Sequence, residues 1–220
     1  MEIIKKKFDL LCKNQYPAKD SSDIMEHLTT LCDYASKCDS IFETGVRNCV
    51  SSYAFLYGLL CNNSQNKKKL FLNDINICNI DELQNLSNDC NIEIKYEWKN
   101  NLELSLDEFF DITFIDTWHV YGQLIRELNK FSTITNKYII IHDTTIDADY
   151  GETIRNNWNA KEQSMRTGIP IDEINKGIFP AIIDFVKSNS IWKIEKRYMN
   201  NNGLTILSKI NLEQSNDKNL

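Results

Sequence analysis

The chain alternates between stretches of helical and of strand periodicity. In "DIMEHLTTLCDYASK" (23–37), Ile24, Leu28, Leu31 and Ala35 recur at helical spacing, and Asp23 with Glu26 makes a capping-box pattern. "SIFETG" then predicts a short strand, and "SSYAFLYGLLCNN" a helix opened by Ser51 or Ser52. "KLFLNDI" is a second apolar run ending in an acid, "DELQNLSNDC" suits a helix, and "NIEIKYEW" alternates as a third strand. "FFDITFIDTW" predicts a fourth strand, "VYGQLIRELNKF" a helix and "KYIIIHDTT" a fifth strand. After a polar, turn-rich stretch from Asp147 to Gly177 comes a helix over "FPAIIDFVKSN". The chain closes with "IWKIEKRYM", the turn "NNNG" and "LTILSKI", a β-hairpin pattern.

Strands alternating with helices predict an α/β fold with a mostly parallel sheet covered on both faces, the hairpin adding one antiparallel strand. At 220 residues, with no internal repeat or dividing linker, the chain predicts one domain. The expected division is an N-terminal helical cap over 1–40, a core over 41–210 carrying an insertion at 147–177, and a disordered tail over 211–220.

In an open α/β sheet, ligands bind beyond the carboxyl ends of the strands, where strand order reverses. The polar residues at the predicted strand ends are Glu43 and Gly45, Asp74, Asp116 and His119, and His142 and Asp143. An acid there must be solvated, paired or bound to something. Gly45 is equally explained by backbone needs, and Asp74 suits a ribose or a helix N-cap. Asp116 and Asp143 together could chelate a hard cation, although two carboxylates leave such a site incomplete. His119 and His142 are two of only three histidines, and either can shuttle a proton near neutral pH. His27 reads as a surface or supporting residue. Trp192 reads as core, whereas Trp98 and Trp118 stand near strand ends, where core or rim packing competes with stacking on an adenine or a sugar.

Composition narrows the functions. A net charge of -6 argues against sequence-independent nucleic-acid binding, and the one dense basic run, Lys67-Lys68-Lys69, reads as a solvated loop. The seven cysteines are odd in number and contain no CxxC pair, which disfavours a disulfide framework or a zinc knuckle. The apolar fraction of 42% is ordinary, and no apolar run approaches the ~20 residues needed to span a bilayer. No secretory leader is recognisable after Met1. The expectation is a reduced, cytoplasmic protein.

The segments "SDIMEHLTTL", "FETGVRNCVSS", "FDITFIDTWHVYGQLIREL", "KYIIIHDTT", "GIFPAIIDFVKSNSIWKI" and "NNNGLTIL" resemble class I S-adenosylmethionine-dependent methyltransferases. The likeness is to small O-methyltransferases associated with glycan and secondary-metabolite genes, and more loosely to the macrocin, rhamnosyl and cephalosporin hydroxylase-like groups. It covers about residues 21–208, and "IDTWHVYGQL" followed by "IIIHDTT" is its most telling part. The resemblance implies a Rossmann-like seven-stranded sheet with the last strand antiparallel, and S-adenosylmethionine as cofactor. It implies that Glu43, Thr44, Gly45, Arg47, Ser52, Asp74, Ile75 and Asp116 surround the cofactor, with Asp74 at the ribose. His119, His142 and Asp143 would line the acceptor side as catalytic residues, and 147–177 would be a lid. In metal-dependent relatives the acids matching Asp116 and Asp143 bind magnesium. Those relatives carry a second acid where this chain has His142, which speaks against the metal. The implied reaction is methyl transfer to a hydroxyl of a sugar, glycan precursor or other small metabolite. Expected partners are that acceptor and at most a second copy of the chain, with no nucleic acid and no membrane.

Two other functions compete. Cys49, standing where such loops often have glycine, suggests a catalytically inactive binding or scaffolding module of the same fold. A nicotinamide enzyme is disfavoured because "ETGVRNC" lacks the GxGxxG spacing that brings backbone to a pyrophosphate. S-adenosylmethionine has no phosphate to cradle, so the missing glycine counts against a dinucleotide first.

Overall fold

The computed structural model describes residues 2–13 and 23–210; the expected disordered tail lies outside them. Seven strands form one sheet: β1 (Ser40–Thr44), β2 (Lys68–Asp74), β3 (Ile92–Trp98), β4 (Phe110–Ile115), β5 (Thr135–His142), β6 (Trp192–Tyr198) and β7 (Leu204–Lys209). Their order is β3-β2-β1-β4-β5-β7-β6, and β7 runs antiparallel to both its neighbours. Helices α1 (Glu2–Cys12), α2 (Leu28–Ala35), α3 (Val50–Cys61) and α4 (Asp81–Asn88) precede β4 in the chain. Helix α5 (Tyr121–Phe131) follows β4, and α9 (Ile178–Ser188) precedes β6. The polar 147–177 stretch holds three short helices, α6 (Glu152–Arg155), α7 (Ala160–Thr167) and α8 (Ile171–Asn175).

The strands are apolar on both faces because helices cover both. In β1, Ile41 joins Leu28, Leu31 and Phe55 of α2 and α3, while Phe42 joins Leu128, Phe131 and Phe185 of α5 and α9. Trp192 is core, as its sequence context suggests. Helices α1 and α2 share the cluster that holds α3, so the N-terminal segment belongs to the same core.

The expected helix over 23–37 is shorter and begins as a 3-10 turn, Met25–His27. Its capping box does not form. Asp23 instead accepts from the Asn202 side chain, and Glu26 exchanges hydrogen bonds with Asn200 and Asn201. The β6–β7 turn thus replaces the cap. Neither Ser51 nor Ser52 caps α3, because Cys49 occupies the cap position in a left-handed conformation (φ 60).

Strand order reverses between β1 and β4, which places the ligand-binding edge at their carboxyl ends.

Candidate active site

At the end of β1, Gly45 turns the chain at φ +92, and its N–H donates to the carbonyl of Asn73 (2.9 Å). A Cβ there would lie 1.8 Å from the carbonyl oxygen of Asp116, so only glycine lets the β1 loop lie against the β4 end. Arg47 (φ 44) and Cys49 (φ 60) also hold left-handed backbone, which costs a non-glycine residue energy and is tolerated only under external constraint. Part of that constraint is Asp74. Its Oδ2 accepts from the N–H groups of Val46 (2.9 Å) and Arg47 (3.0 Å), and its Oδ1 from Asn76 (2.8 Å). The loop is therefore folded with cysteine in place of glycine. Beyond Asp74, Ile75 and Trp98 are 65% and 61% exposed, with the indole N–H bonded to the Ile75 carbonyl (2.8 Å).

Glu43 and Thr44 alternate across β1. Thr44 donates to Asn73 Oδ1 (2.8 Å) and accepts from Asn101 (3.0 Å), in a buried network centred on Glu127 of α5. Glu127 Oε1 accepts from Asn101 (2.6 Å), Thr117 (2.6 Å) and Gln123 (2.7 Å), tying together the chain beyond β1, β3 and β4. On the other face Glu43 is buried and accepts from the Ser51 hydroxyl, while Ser52 lies beside it and completes no hydrogen bond.

Burial pushes the Glu43 carboxyl up to about 8, against the pull of Ser51. The folded chain thus holds a proton that the unfolded chain gives up near the ordinary value of 4.5. Stability contributed at this residue is complete below about 4.5 and falls as pH rises toward about 8, by about 1.4 kcal/mol per pH unit. We expect Glu43→Gln to be more stable than the wild type at pH 8 and to lose that advantage toward pH 5, as read from urea denaturation at both values.

Across the Gly45 contact lies the second half of the site. Asp116 Oδ1 faces His119 Nε2 (3.2 Å) and His142 Nδ1 (3.4 Å). His119 Nδ1 faces Asp143 Oδ2 (3.0 Å) and Asp147 Oδ2 (3.3 Å). Arg155 grips Asp147 through Nε (2.6 Å) and Nη2 (2.9 Å), and Glu152 approaches His119 from α6. Four carboxylates meet two imidazoles and one guanidinium, so negative charge is in excess even with both imidazoles protonated.

Burial would push the Asp116 carboxyl up, but the imidazoles, His142 foremost, hold it well below the usual range. Burial lowers both imidazoles, and the carboxylates more than reverse this: His142 rises to about 9, and His119 well above its ordinary value. Burial raises Asp143 against the pull of His119 and His142. The side chain of His142 is fully buried, whereas His119 retains a narrow surface opening.

The sequence thus brings His119, His142, Asp116 and Asp143 into one cluster, and sets Glu43, Thr44, Gly45, Arg47, Ser52, Asp74 and Ile75 around the adjoining β1 loop. Asp147 and Glu152 were missed as members of the cluster, and Arg155 was expected only as part of the 147–177 lid. The spacing of Asp143 and Asp147 was the available signal: Asp147 N–H bonds back to the Asp143 carbonyl (3.2 Å), one turn on. His27 is no surface residue. It is buried edge-on to His142, with ring centroids 5.9 Å apart. Trp118 packs partly buried beside Val120 and Ile174 at the site's rim. All seven cysteines are free thiols, and no described helix is long and apolar enough to cross a membrane.

An O-methyltransferase from Bacillus cereus, solved with S-adenosylhomocysteine, superposes with a TM-score of 0.57 at 13% identity, over 96% of this chain and 91% of that one. The chain has the Rossmann-like methyltransferase fold. The N-methyltransferase NodS from Bradyrhizobium japonicum WM9, also with S-adenosylhomocysteine, gives 0.55 at 11% identity over 96% and 98%. The methyltransferase PaMTH1 from Podospora anserina gives 0.55 at 13% over 96% and 89%. No family model matches the chain, and no curated protein matches it in sequence.

Proposed function

We infer that the protein is an S-adenosylmethionine-dependent O-methyltransferase, acting on a hydroxyl of a sugar, glycan precursor or other small metabolite in the cytoplasm. Its sequence motifs support, more loosely, a likeness to the macrocin and rhamnosyl O-methyltransferase groups. The observation that carries this reading is the Gly45–Asp116 contact. It makes a glycine-turned loop beside an acid-ended β2 abut a histidine–carboxylate cluster, so that a methyl donor and an acceptor can meet. The adenine would rest on Ile75 beside Trp98, the ribose near Asp74, and the methionine part by Glu43, Thr44, Gly45, Arg47 and Ser52. Asp116 would stand between sulfonium and acceptor.

The sulfonium is already activated, so the protein's work is to align the reactants and take up one proton. Alignment can supply about 7–11 kcal/mol. His119, the imidazole with an opening to the surface, takes the hydroxyl proton after releasing its own, which the surrounding carboxylates hold more tightly than usual. Asp116, Asp143 and Asp147 around its ring stabilise the imidazolium that results. His142, fully buried, holds Asp116 in place. Helices α6–α8 serve as the lid on the acceptor side, where Glu152 receives the backbone N–H of His119 (3.4 Å) and returns its own N–H to the His119 carbonyl (2.8 Å).

Magnesium, which the resemblance allows at Asp116 and Asp143, does not fit: the third donor is an imidazole nitrogen, and magnesium takes an octahedron of oxygens. No step runs through it. Incubation with methyl-labelled S-adenosylmethionine and a panel of nucleotide-sugars and polyhydroxylated metabolites tests the function. The expected product is one acceptor gaining a methyl group on oxygen. Transfer to nitrogen or carbon acceptors alone would contradict it.

A further inference from the structure

Helix α5 carries Gln123, Glu127 and Lys130 on one face, at i, i+4 and i+7, while Leu124, Leu128 and Phe131 pack into the core beside them. All three polar side chains grip a single 3-10 turn, Asn101–Glu103, which follows β3. Gln123 donates to Asn101 Oδ1 (3.2 Å), and Asn101 Nδ2 donates to Glu127 Oε1 (2.6 Å). Lys130 directs its three ammonium donors at the carbonyls of Asn101 (2.9 Å), Leu102 (2.8 Å) and Leu104 (2.7 Å). Connecting segments are commonly mobile and variable; this one is held from the helix by both side chain and backbone.

The turn adjoins the cofactor side of the site. The N–H of Lys99, just before it, bonds to the Asp74 carbonyl (3.0 Å), and Asn101 Nδ2 also donates to the Thr44 hydroxyl (3.0 Å). The acceptor side reaches the same carboxylate. Thr117, which follows Asp116 and stands two positions before His119, donates its hydroxyl to Glu127 Oε1 (2.6 Å). One oxygen atom therefore fixes the chain after β3 and the chain after β4 relative to each other. Glu127 is fully buried, and its Oε2 completes no hydrogen bond among the described residues. Burial raises this carboxyl against the pull of Thr117, Asn101, Gln123 and the His119 charge. A buried acid with one oxygen unpartnered works against stability, and a helix that had only to pack would do as well with an apolar residue there. What Glu127 holds explains its place better than what it stabilises.

Resting on the methyltransferase reading, we propose that Glu127 is a positioning residue that keeps the cofactor-side turn at Asn101 and the acceptor-side loop at Thr117 in register, so that His119 stands in line with the methyl donor. It acts through Asn101 and Thr117. A misplacement of about 1 Å caused far from the chemistry can cost on the order of 10²-fold in rate, so a fixed point between the two halves matters to alignment.

The test compares full-length variants by two readings, the affinity for S-adenosylhomocysteine from calorimetry and the His119 imidazole resonances from NMR of the ligand-free protein. Glu127→Ala removes the fixed point. Its affinity should fall about tenfold, in keeping with a lost hydrogen bond to a charged group, and the His119 signals should move. Glu127→Gln keeps an acceptor for the three donors but not the charge that His119 feels, so both readings should return toward wild type. Leu128→Val, a core truncation on the same helix, should lower Tm and move neither reading. Thr117→Val releases the acceptor side alone: the His119 signals should move with affinity unchanged, and this variant decides if Glu127→Ala does not fold. If the wild type binds no S-adenosylhomocysteine, the methyltransferase reading fails and the His119 signals alone decide this inference. Unmoved His119 signals or unchanged affinity in folded Glu127→Ala, unmoved signals in Thr117→Val, a Glu127→Gln as impaired as the alanine variant, or a Leu128→Val that moves either reading would overturn the proposal.

Discussion

Replacing Gly45 by alanine should cost more stability than any other single methyl added to a glycine near the site. The new Cβ would fall 1.8 Å from the Asp116 carbonyl oxygen and 2.5 Å from its carbonyl carbon, both backbone atoms at the end of a buried strand. The φ of +92 is itself strained for alanine, at about 1–3 kcal/mol. Relief requires β1 and β4 to separate where Asp116 N–H bonds to the Thr44 carbonyl (3.0 Å). At about 2–4 °C per kcal/mol for a chain of this size, a fall in Tm of roughly 10 °C or more is expected from calorimetry. Gly168→Ala is the control. It shares a left-handed φ of +74 but has nothing within 4 Å of the new methyl, so it should cost only about 1–2 kcal/mol. Equal losses in the two variants would show that the close approach to Asp116 does not constrain the fold.

The largest catalytic effect is expected from His119→Ala. A positioned base contributes about 10²–10⁴-fold, and methyl transfer should fall within that range. His119 touches Asp116, Asp143 and Asp147 but none of the residues assigned to adenine or ribose, so the affinity for S-adenosylhomocysteine should be unchanged. Stopped-flow or endpoint assays give the first quantity and calorimetry the second. If rate and affinity fall together, His119 belongs to the cofactor pocket; an unchanged rate removes it from the chemistry altogether.

Much of this was legible in the sequence because it depends on periodicity. The strands over 40–44, 110–115 and 135–142 announce themselves as apolar runs, and their order in the chain puts Gly45, Asp116, His142 and Asp143 at one edge. The hairpin was legible from "NNNG", where Asn201, Asn202 and Gly203 all take positive φ. What the pattern could not carry was contact between distant segments. The burial of His27 follows from carbonyls in a turn more than 170 positions away, and the lost capping box has the same cause. Cys49 was read as a replaced glycine, but the left-handed conformation at its position depends on loop geometry that no spacing rule reports. The 147–177 stretch read as turn-rich, without helices, because its helices are short and no residue of α7 is buried. Its link to the site runs through Arg155, which grips Asp147, and through Glu152, which bonds to the His119 backbone.

Calorimetric titration of the purified protein with S-adenosylhomocysteine tests the central claim most directly. Saturable one-to-one binding is predicted, weakened when Asp74→Asn loosens the loop that Val46 and Arg47 anchor on that carboxylate. Absence of binding at millimolar ligand, by a protein whose melting curve shows it folded, would contradict the claim.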